Sequence, residues 1–486
     1  MNWKPTPRRA AWVLILVNLV LWLIPSNVAR QIARDRQTVL GWYSLEKFTI
    51  QALVLLLSVP ALYILLGRPE GRRQRIFRVA AVFLVLLPGL VSIDIIARVL
   101  RPPRFVQSET SYHRPANWKY ESTFHDQPRA RRTYPNAPAG YPPISFHFTC
   151  DARGFRNPAQ VDSCDILAVG DSFVEGSEVS DEQPWTRVLG ASTGSSVYNL
   201  GMAGGNTHDY LLNLKNVGLA LSPRVVLVMI YEGNDFRGTT IQIDRDERED
   251  DVVDNQVALV FKLSPVVLAV RRAIEEHLTS LNATAWVPNA EALALMPVLV
   301  GPQANRHPYV FDPKDLLWFD FTAAEFAASK GFVDTCTAVR GMADECRVAG
   351  ARLVVLYAPN KPHVLMTDIA DRPEQVRAFV SLIKRNLPPA DRLIRQLREG
   401  VQAPEQAMAD FCRRQDIGFL SLTPALRREM EAGNRVYFTY DQHWTPEGHA
   451  VVARAVEDYL KEHNLPGGAR PASSRPSTAP ASAPSK

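Results

Sequence analysis

At 486 residues the chain exceeds what one ordinary hydrophobic core organises, so at least two regions are expected. Its hydrophobic fraction, 46%, is ordinary on average but unevenly placed, and its net charge of +5 comes mostly from arginines that flank apolar runs. No arginine-rich stretch interleaved with aromatics occurs beyond them, which argues against nucleic acid as a partner.

Three apolar runs occupy the first hundred residues, at 10–29, 48–67 and 79–97. Each holds roughly 20 residues, the length that spans a bilayer as a helix. The first alone, behind Lys4, Arg8 and Arg9, reads as a signal peptide. Two further runs of full length make a three-helix transmembrane anchor over 1–100, lodged in the lipid bilayer, the better reading. Arg68, Arg72, Arg73, Arg75 and Arg78 stand against one acid, Glu70, between the second and third runs, which places that link in the cytoplasm. Arg30, Arg34, Arg36 and Lys47 in the first link, and Arg98, Arg101 and Arg104 after the third run, pull the other way. The expected topology is an inner-membrane, multi-pass protein whose remaining chain faces the periplasm or the cell exterior.

Residues 101–145 are rich in Pro, Arg and aromatics without clear periodicity, and read as a linker that partly packs on the domain C-terminal to it. His113 and His125 lie there as loop residues. Residues 466–486 form a Pro/Ala/Ser tail that lacks the apolar bulk to fold.

Between them, over 146–465, short β-branched runs alternate with helical patterns. Strands are expected at 166–169, 197–200, 225–231, 353–357 and 419–422. Helices are expected at 184–190, 209–221, 322–349, 404–414 and 446–462, the last with Thr445 as N-cap and Pro446 at its first position. Nearly continuous apolar strands alternating with helices indicate a parallel α/β sheet covered on both faces. Residues 239–321 exceed what one crossover needs. Their aromatics fit a grip on an acyl chain or sugar and a small subdomain core equally well. Within them "DRDEREDD", 244–251, lacks the glycine of a calcium loop and reads as solvated. The five cysteines, Cys150, Cys164, Cys336, Cys346 and Cys412, carry no metal-binding spacing. A Cys150–Cys164 bridge and burial as free thiols both stand open.

In such sheets the chemistry sits at the carboxyl ends of the strands. The first strand ends in Gly170-Asp171-Ser172, the second in "NLGMAGGNT", the third in "YEGNDF", and "YDQHWTPEGH" precedes the last helix. Ser172 needs a base, and that base needs a group to hold its tautomer. Asp441 and His443 lie two apart, a spacing that in extended chain puts both on one face. The N–H groups of Ser172 and Gly204 and the amide of Asn234 are candidate oxyanion donors. His449 falls on the last helix and reads as packed rather than catalytic, and helix capping accounts for Asp209 beside His208.

These four blocks resemble the SGNH (GDSL-like) hydrolase superfamily, over residues 146–465. The resemblance implies a flavodoxin-like three-layer α/β/α sandwich with a central parallel sheet. It implies Ser172 as nucleophile, His443 and Asp441 as its partners, Ser172, Gly204 and Asn234 as the oxyanion hole, and no cofactor or metal. "DARGFRN" and "YAPNKPHVL" are similar to membrane-tethered bacterial members. The Asp-x-His-Trp ending, where Asp-x-x-His is commoner, is similar to alginate O-acetyltransferase-like proteins, and Glu232 stands where many members have glycine. The implied activity is a serine esterase acting on an acylated envelope or extracellular glycan or a small acyl ester. The alternatives are an O-acyltransferase served by an acyl-donor membrane partner and a non-catalytic glycan-binding subunit of an export complex.

Overall fold

The computed structural model describes residues 6–23, 38–39, 43–100, 105–108, 111–126, 137–236, 296–381, 384 and 386–466. The expected tail, the 244–251 acidic run and most of the 239–321 insertion lie outside them. Contacts divide the chain into two units: Met1–Pro103 with Pro128–Ala137 and Arg245–Ala294, and Arg104–Gln127 with Pro138–Asp244 and Leu295–Lys486.

The first unit contains helices α1 (Pro7–Leu23), α2 (Leu45–Leu66) and α3 (Arg72–Leu100), on the three apolar runs. Where three full-length spans were expected, one helical stretch among the described residues, Pro69–Ile93, is long and apolar enough to cross a membrane, and Val54–Leu66 is a shorter apolar helix. Asn18 of α1 donates its amide to Ser58 Oγ of α2 at 2.9 Å, a buried polar contact between two mostly apolar helices. Leu56, Leu84 and Val85 are exposed on these helices.

The second unit is built on one five-stranded sheet. Its strands are β1 (Ile166–Gly170), β2 (Val197–Gly201), β3 (Val225–Tyr231), β4 (Arg352–Ala358) and β5 (Gly418–Ser421). The order is β5-β4-β3-β1-β2 and every pairing is parallel. Successive residues feed opposite cores. Ile166, Leu227, Met229 and Leu356 enter one buried cluster, while Leu167, Val226, Val228 and Val355 enter the other. Burial on both faces is what makes these strands apolar throughout rather than alternating. The chain reverses direction across the sheet between β1 and β3, so the crevice of an open parallel sheet falls at their carboxyl ends.

Helices α4 (Ser172–Glu175), α5 (Trp185–Thr193), α6 (Thr207–Asn213), α7 (Lys330–Val348), α8 (Lys361–Ala370), α9 (Ala390–Arg414), α10 (Thr423–Glu431) and α11 (Pro446–Glu462) complete the main layers. Three differ from expectation. The segment 322–349 breaks at Ser329, which caps α7 by accepting from Phe332 N at 3.3 Å. The turn after α6 loosens and tightens through π and 3-10 geometry rather than continuing as α. α9 starts at Ala390 and runs through Pro404 instead of beginning there. Its buried stripe, Leu393, Ile394, Leu397, Val401, Met408 and Phe411, outweighs the local cost of proline in a helix interior, about 3 kcal/mol.

The expected linker contributes real structure. Lys119–Phe124 pairs antiparallel with Ile144–Thr149. Within the insertion, Val298–Val300 pairs with His307–Tyr309, and Tyr309, Phe311 and Phe319 are buried in the main core, which favours the core reading over an exposed grip. All five cysteines are free and buried. Cys150 packs with Phe146 and Phe148 while Cys164 packs under β1, in different clusters, so the Cys150–Cys164 bridge does not form.

Candidate active site

Asp171 follows β1 and caps α4, its Oδ1 accepting from Phe173 N at 2.9 Å. Ser172 therefore begins a helical turn at the mouth of the crevice. β2 passes so close behind this turn that a Cβ on Gly201 would stand 2.3 Å from Glu175 N.

Asp441, Gln442 and His443 lie on a loop closed at its base by the Tyr437–Trp444 bridge and by Phe438 N donating to His443 O at 3.1 Å. The loop is bent, not extended. Asp441 Oδ1 accepts from His443 N at 2.8 Å, an Asx-turn, and from His443 Nδ1 at 2.6 Å. The two-residue spacing thus works through a turn that lets one carboxylate oxygen hold both backbone and ring. His443 Nε2 receives the Ser172 hydroxyl at 2.8 Å. Trp444 is fully buried edge-on to Phe173, whose ring also lies tilted against the imidazole, 5.0 Å between centroids.

Burial opposes charge on His443, but the Asp441 carboxylate and its hydrogen bond overcome this and push the imidazole up to about 8. For Asp441, burial is likewise outweighed, by the imidazole, its hydrogen bonds and the Lys361 ammonium, which hold the carboxyl well below its usual range.

Asn234 follows β3 and is exposed. One amide N–H goes to Asp171 Oδ2 at 2.9 Å, which fixes the side chain and leaves the second N–H for another acceptor. Gly204 sits in left-handed backbone at φ 76°, where glycine is favoured, and is exposed. Tyr112, from the expected linker, braces that loop by donating its hydroxyl to Ala203 O at 3.0 Å. Asn206 caps α6 and Asp209 completes the capping box, the role expected of Asp209. His449 is buried, and its Nδ1 accepts from Trp185 N at 3.3 Å rather than from a group of the Ser172 row. His113 Nδ1 meets Arg114 O and His125 is exposed.

Three participants carried no role in the sequence reading. Glu232, the departure from glycine, is fully buried and accepts from Tyr357 Oη at 2.5 Å, Asn360 N at 2.8 Å and His363 Nδ1 at 2.9 Å, tying the end of β3 to the start of α8. Asp126 and Lys361 hold the Asp441 loop. Lys361 was discoverable, because it opens a helix directly after a strand end. Asp126 lies where nothing periodic marks it. Among the described residues no group of three or more His, Cys, Asp or Glu is arranged to hold a metal ion.

Residues 378–484, which include Asp441 and His443, match the family model described as SGNH hydrolase-like domain, acetyltransferase AlgX. This C-terminal part is thus similar to the SGNH hydrolase-like domain of the acetyltransferase AlgX. No curated protein matches it. Among solved structures it is similar to a putative lipolytic protein of the G-D-S-L family from Desulfitobacterium hafniense, at 14% identity over 60% of this chain and 96% of that one, TM-score 0.27. A GDSL-like lipase from Bacteroides thetaiotaomicron matches at 12% identity over 61% and 88%, TM-score 0.27. TesA matches at 12% identity over 61% and 98%, TM-score 0.28. The second unit is an α/β fold on a central parallel sheet.

Proposed function

We propose that this SGNH hydrolase-like chain is a membrane-anchored serine esterase that cleaves acyl esters, with an envelope or extracellular glycan as the substrate class. The observation that carries this reading is the continuous row from Ser172 Oγ through the His443 ring to Asp441, at 2.8 and 2.6 Å. Ser172 Oγ attacks the ester carbonyl as its proton passes to His443 Nε2, and Asp441 stabilises the imidazolium. The tetrahedral oxyanion is received by Ser172 N, Gly204 N and the second amide N–H of Asn234. The intermediate collapses to an acyl-serine as the leaving alkoxide takes the proton from Nε2. Water then attacks with His443 as base, releasing the acid.

A second reading, O-acetyl transfer, is favoured by the AlgX-type match over 378–484. It differs in the acyl donor, delivered by a membrane partner, and in the last step, where a sugar hydroxyl replaces water. The anchor in both readings is the helical first unit, with α1, α2 and α3 lodged in the bilayer. Its exposed leucines and valines and its one span-length apolar helix support that placement.

The test is labelling with a fluorophosphonate probe, followed by turnover of short aryl esters with and without an added oligosaccharide. Ser172→Ala is expected to abolish labelling and lower turnover on the order of 10⁴- to 10⁶-fold. Acyl sugar as product selects the transferase, and free acid alone selects the esterase. Full activity in Ser172→Ala overturns both.

A further inference from the structure

The loop that carries Asp441 and His443 is held from two sides by buried charges. On one side the Asp126 carboxylate accepts from three successive backbone N–H groups, Thr439 at 2.6 Å, Tyr440 at 3.0 Å and Asp441 at 3.2 Å. It also accepts from Tyr141 N at 2.8 Å. On the other side the Lys361 ammonium reaches the carbonyls of Phe438 at 2.8 Å, Thr439 at 3.1 Å and Asp441 at 2.5 Å, with Val310 O at 3.1 Å. Lys361 is fully buried and Asp126 is 2% exposed.

We propose that Asp126 and Lys361 are positioning residues for the Asp441–His443 pair, gripping residues 438–441 by their N–H groups and by their carbonyls. The proposal rests on the ester-chemistry reading of Ser172, and it makes the segment ahead of the sheet a working part of the site.

A loop closed only for stability has no need of charge. Its backbone groups could be satisfied by neutral partners or water, whereas burying an ammonium is costly unless it is fully bonded. What charge adds is stiffness: charge-assisted bonds are roughly twice as strong as neutral ones. Three consecutive N–H groups on one carboxylate also leave the backbone before Asp441 no freedom to turn. Burial draws the Lys361 ammonium down to about 8, against the pull of the Asp126, Asp441, Asp315 and Asp312 carboxylates, which favour its charged form. Asp126 lies in Arg104–Gln127, which also supplies Tyr112 at the Gly204 loop and Arg114 at α4. That one segment touches three of the four blocks of the site.

The experiment compares Asp126→Asn and Lys361→Met with the parent full-length chain, each normalised to fluorophosphonate-titrated sites. Misplacement of a catalytic pair by a fraction of an ångström to about 1 Å costs up to ~10²-fold in rate. The expected result is a fall in kcat of roughly 10- to 100-fold, with KM within about twofold. In Asp126→Asn the acid limb of kcat/KM is also expected to fall from about 8 towards the ordinary imidazole value of 6.5, as His443 loses its fixed contact with Asp441. Asp441, Asp171, Glu178 and His449 are the titratable groups that face His443, and all four are retained in both variants. A merely structural role lowers the number of titrated sites and leaves kcat per site and the limb where they were, which overturns the proposal. Should Asp126→Asn not fold, Lys361→Met decides by its kcat–KM split, and failure of both to fold also overturns it. A parent chain with no Ser172-dependent turnover overturns the functional reading itself, a different outcome.

Discussion

The guanidinium of Arg114 grips the carboxylate of Glu175 through two bonds of 2.7 Å, Nε to Oε1 and Nη2 to Oε2. Both side chains are withdrawn from water, and the guanidinium also lies 4.0 Å over the Phe105 ring. Glu175 ends the helical turn that Ser172 begins, so this pair fastens the segment before the sheet to the most delicate turn of the site. Arg114→Met strands a buried carboxylate, and removal of one partner of such a pair costs about 3–5 kcal/mol. The expected outcome is a lower urea midpoint for the second unit. Pairing it with Glu175→Gln recovers part of the loss, and a double variant no more stable than Arg114→Met refutes the coupling.

Asn234 has one amide hydrogen committed to Asp171 and the other available. As the proposed oxyanion donor, Asn234 would act mainly in the transition state, so Asn234→Ala is expected to lower kcat by about 10²- to 10³-fold with little change in KM. A change confined to KM would make Asn234 a ground-state binding residue.

In the proposed mechanism His443 must be neutral to accept the Ser172 proton. Burial works against its charging, yet Asp441 raises it to about 8, so the cationic, inactive form persists to unusually high pH. The expected kcat/KM therefore climbs as pH rises towards and through about 8. In Asp441→Asn the raising charge is gone, so the limb moves down while the plateau drops. A limb near 8 that survives in Asp441→Asn assigns it to another group.

His449 is buried beside Trp444 and lowered to about 3, first by desolvation and then by the Arg156 and His443 charges. Its folded value is depressed below 6.5, so the unfolded chain binds a proton that the folded one refuses. The stability this reflects is complete above 6.5 and is lost as pH falls from there towards 3, by at most about 1.4 kcal/mol per unit. His449→Gln keeps an acceptor for Trp185 N without titrating. Its stability is expected to fall less steeply over that window, with turnover retained. An identical slope in both proteins refutes the assignment, and loss of turnover moves His449 into the site.

For the proposed anchor, Arg68 between α2 and α3 and Arg72, Arg73, Arg75 and Arg78 at the start of α3 argue for a cytoplasmic link. Alkaline phosphatase fused after residue 465 is expected to be active, since its disulfides form only outside the cytoplasm, and a fusion at Glu70 inactive. The reverse pattern removes every envelope glycan from consideration.

The sequence alone determined the layered parallel sheet, because burial on both faces demands unbroken apolar strands, and Val225–Tyr231 is legible for that reason. It also determined the four strand-end blocks, since the chemistry of an open α/β sheet collects at carboxyl ends wherever the helices fall. Local patterning did not determine where α9 begins, because an amphipathic stripe running the length of the helix overrode the proline within it. Nor did it reveal how Asp441 meets His443. The contact is an Asx-turn on a bent loop, and a bend is set by what grips the backbone from outside. Asp126 lies 315 residues before Asp441, and Lys361 lies 80 before it. No periodicity links such positions. Only the folding of the sheet, which carries α8 and the preceding segment to the same edge, brings a carboxylate and an ammonium to opposite sides of one loop.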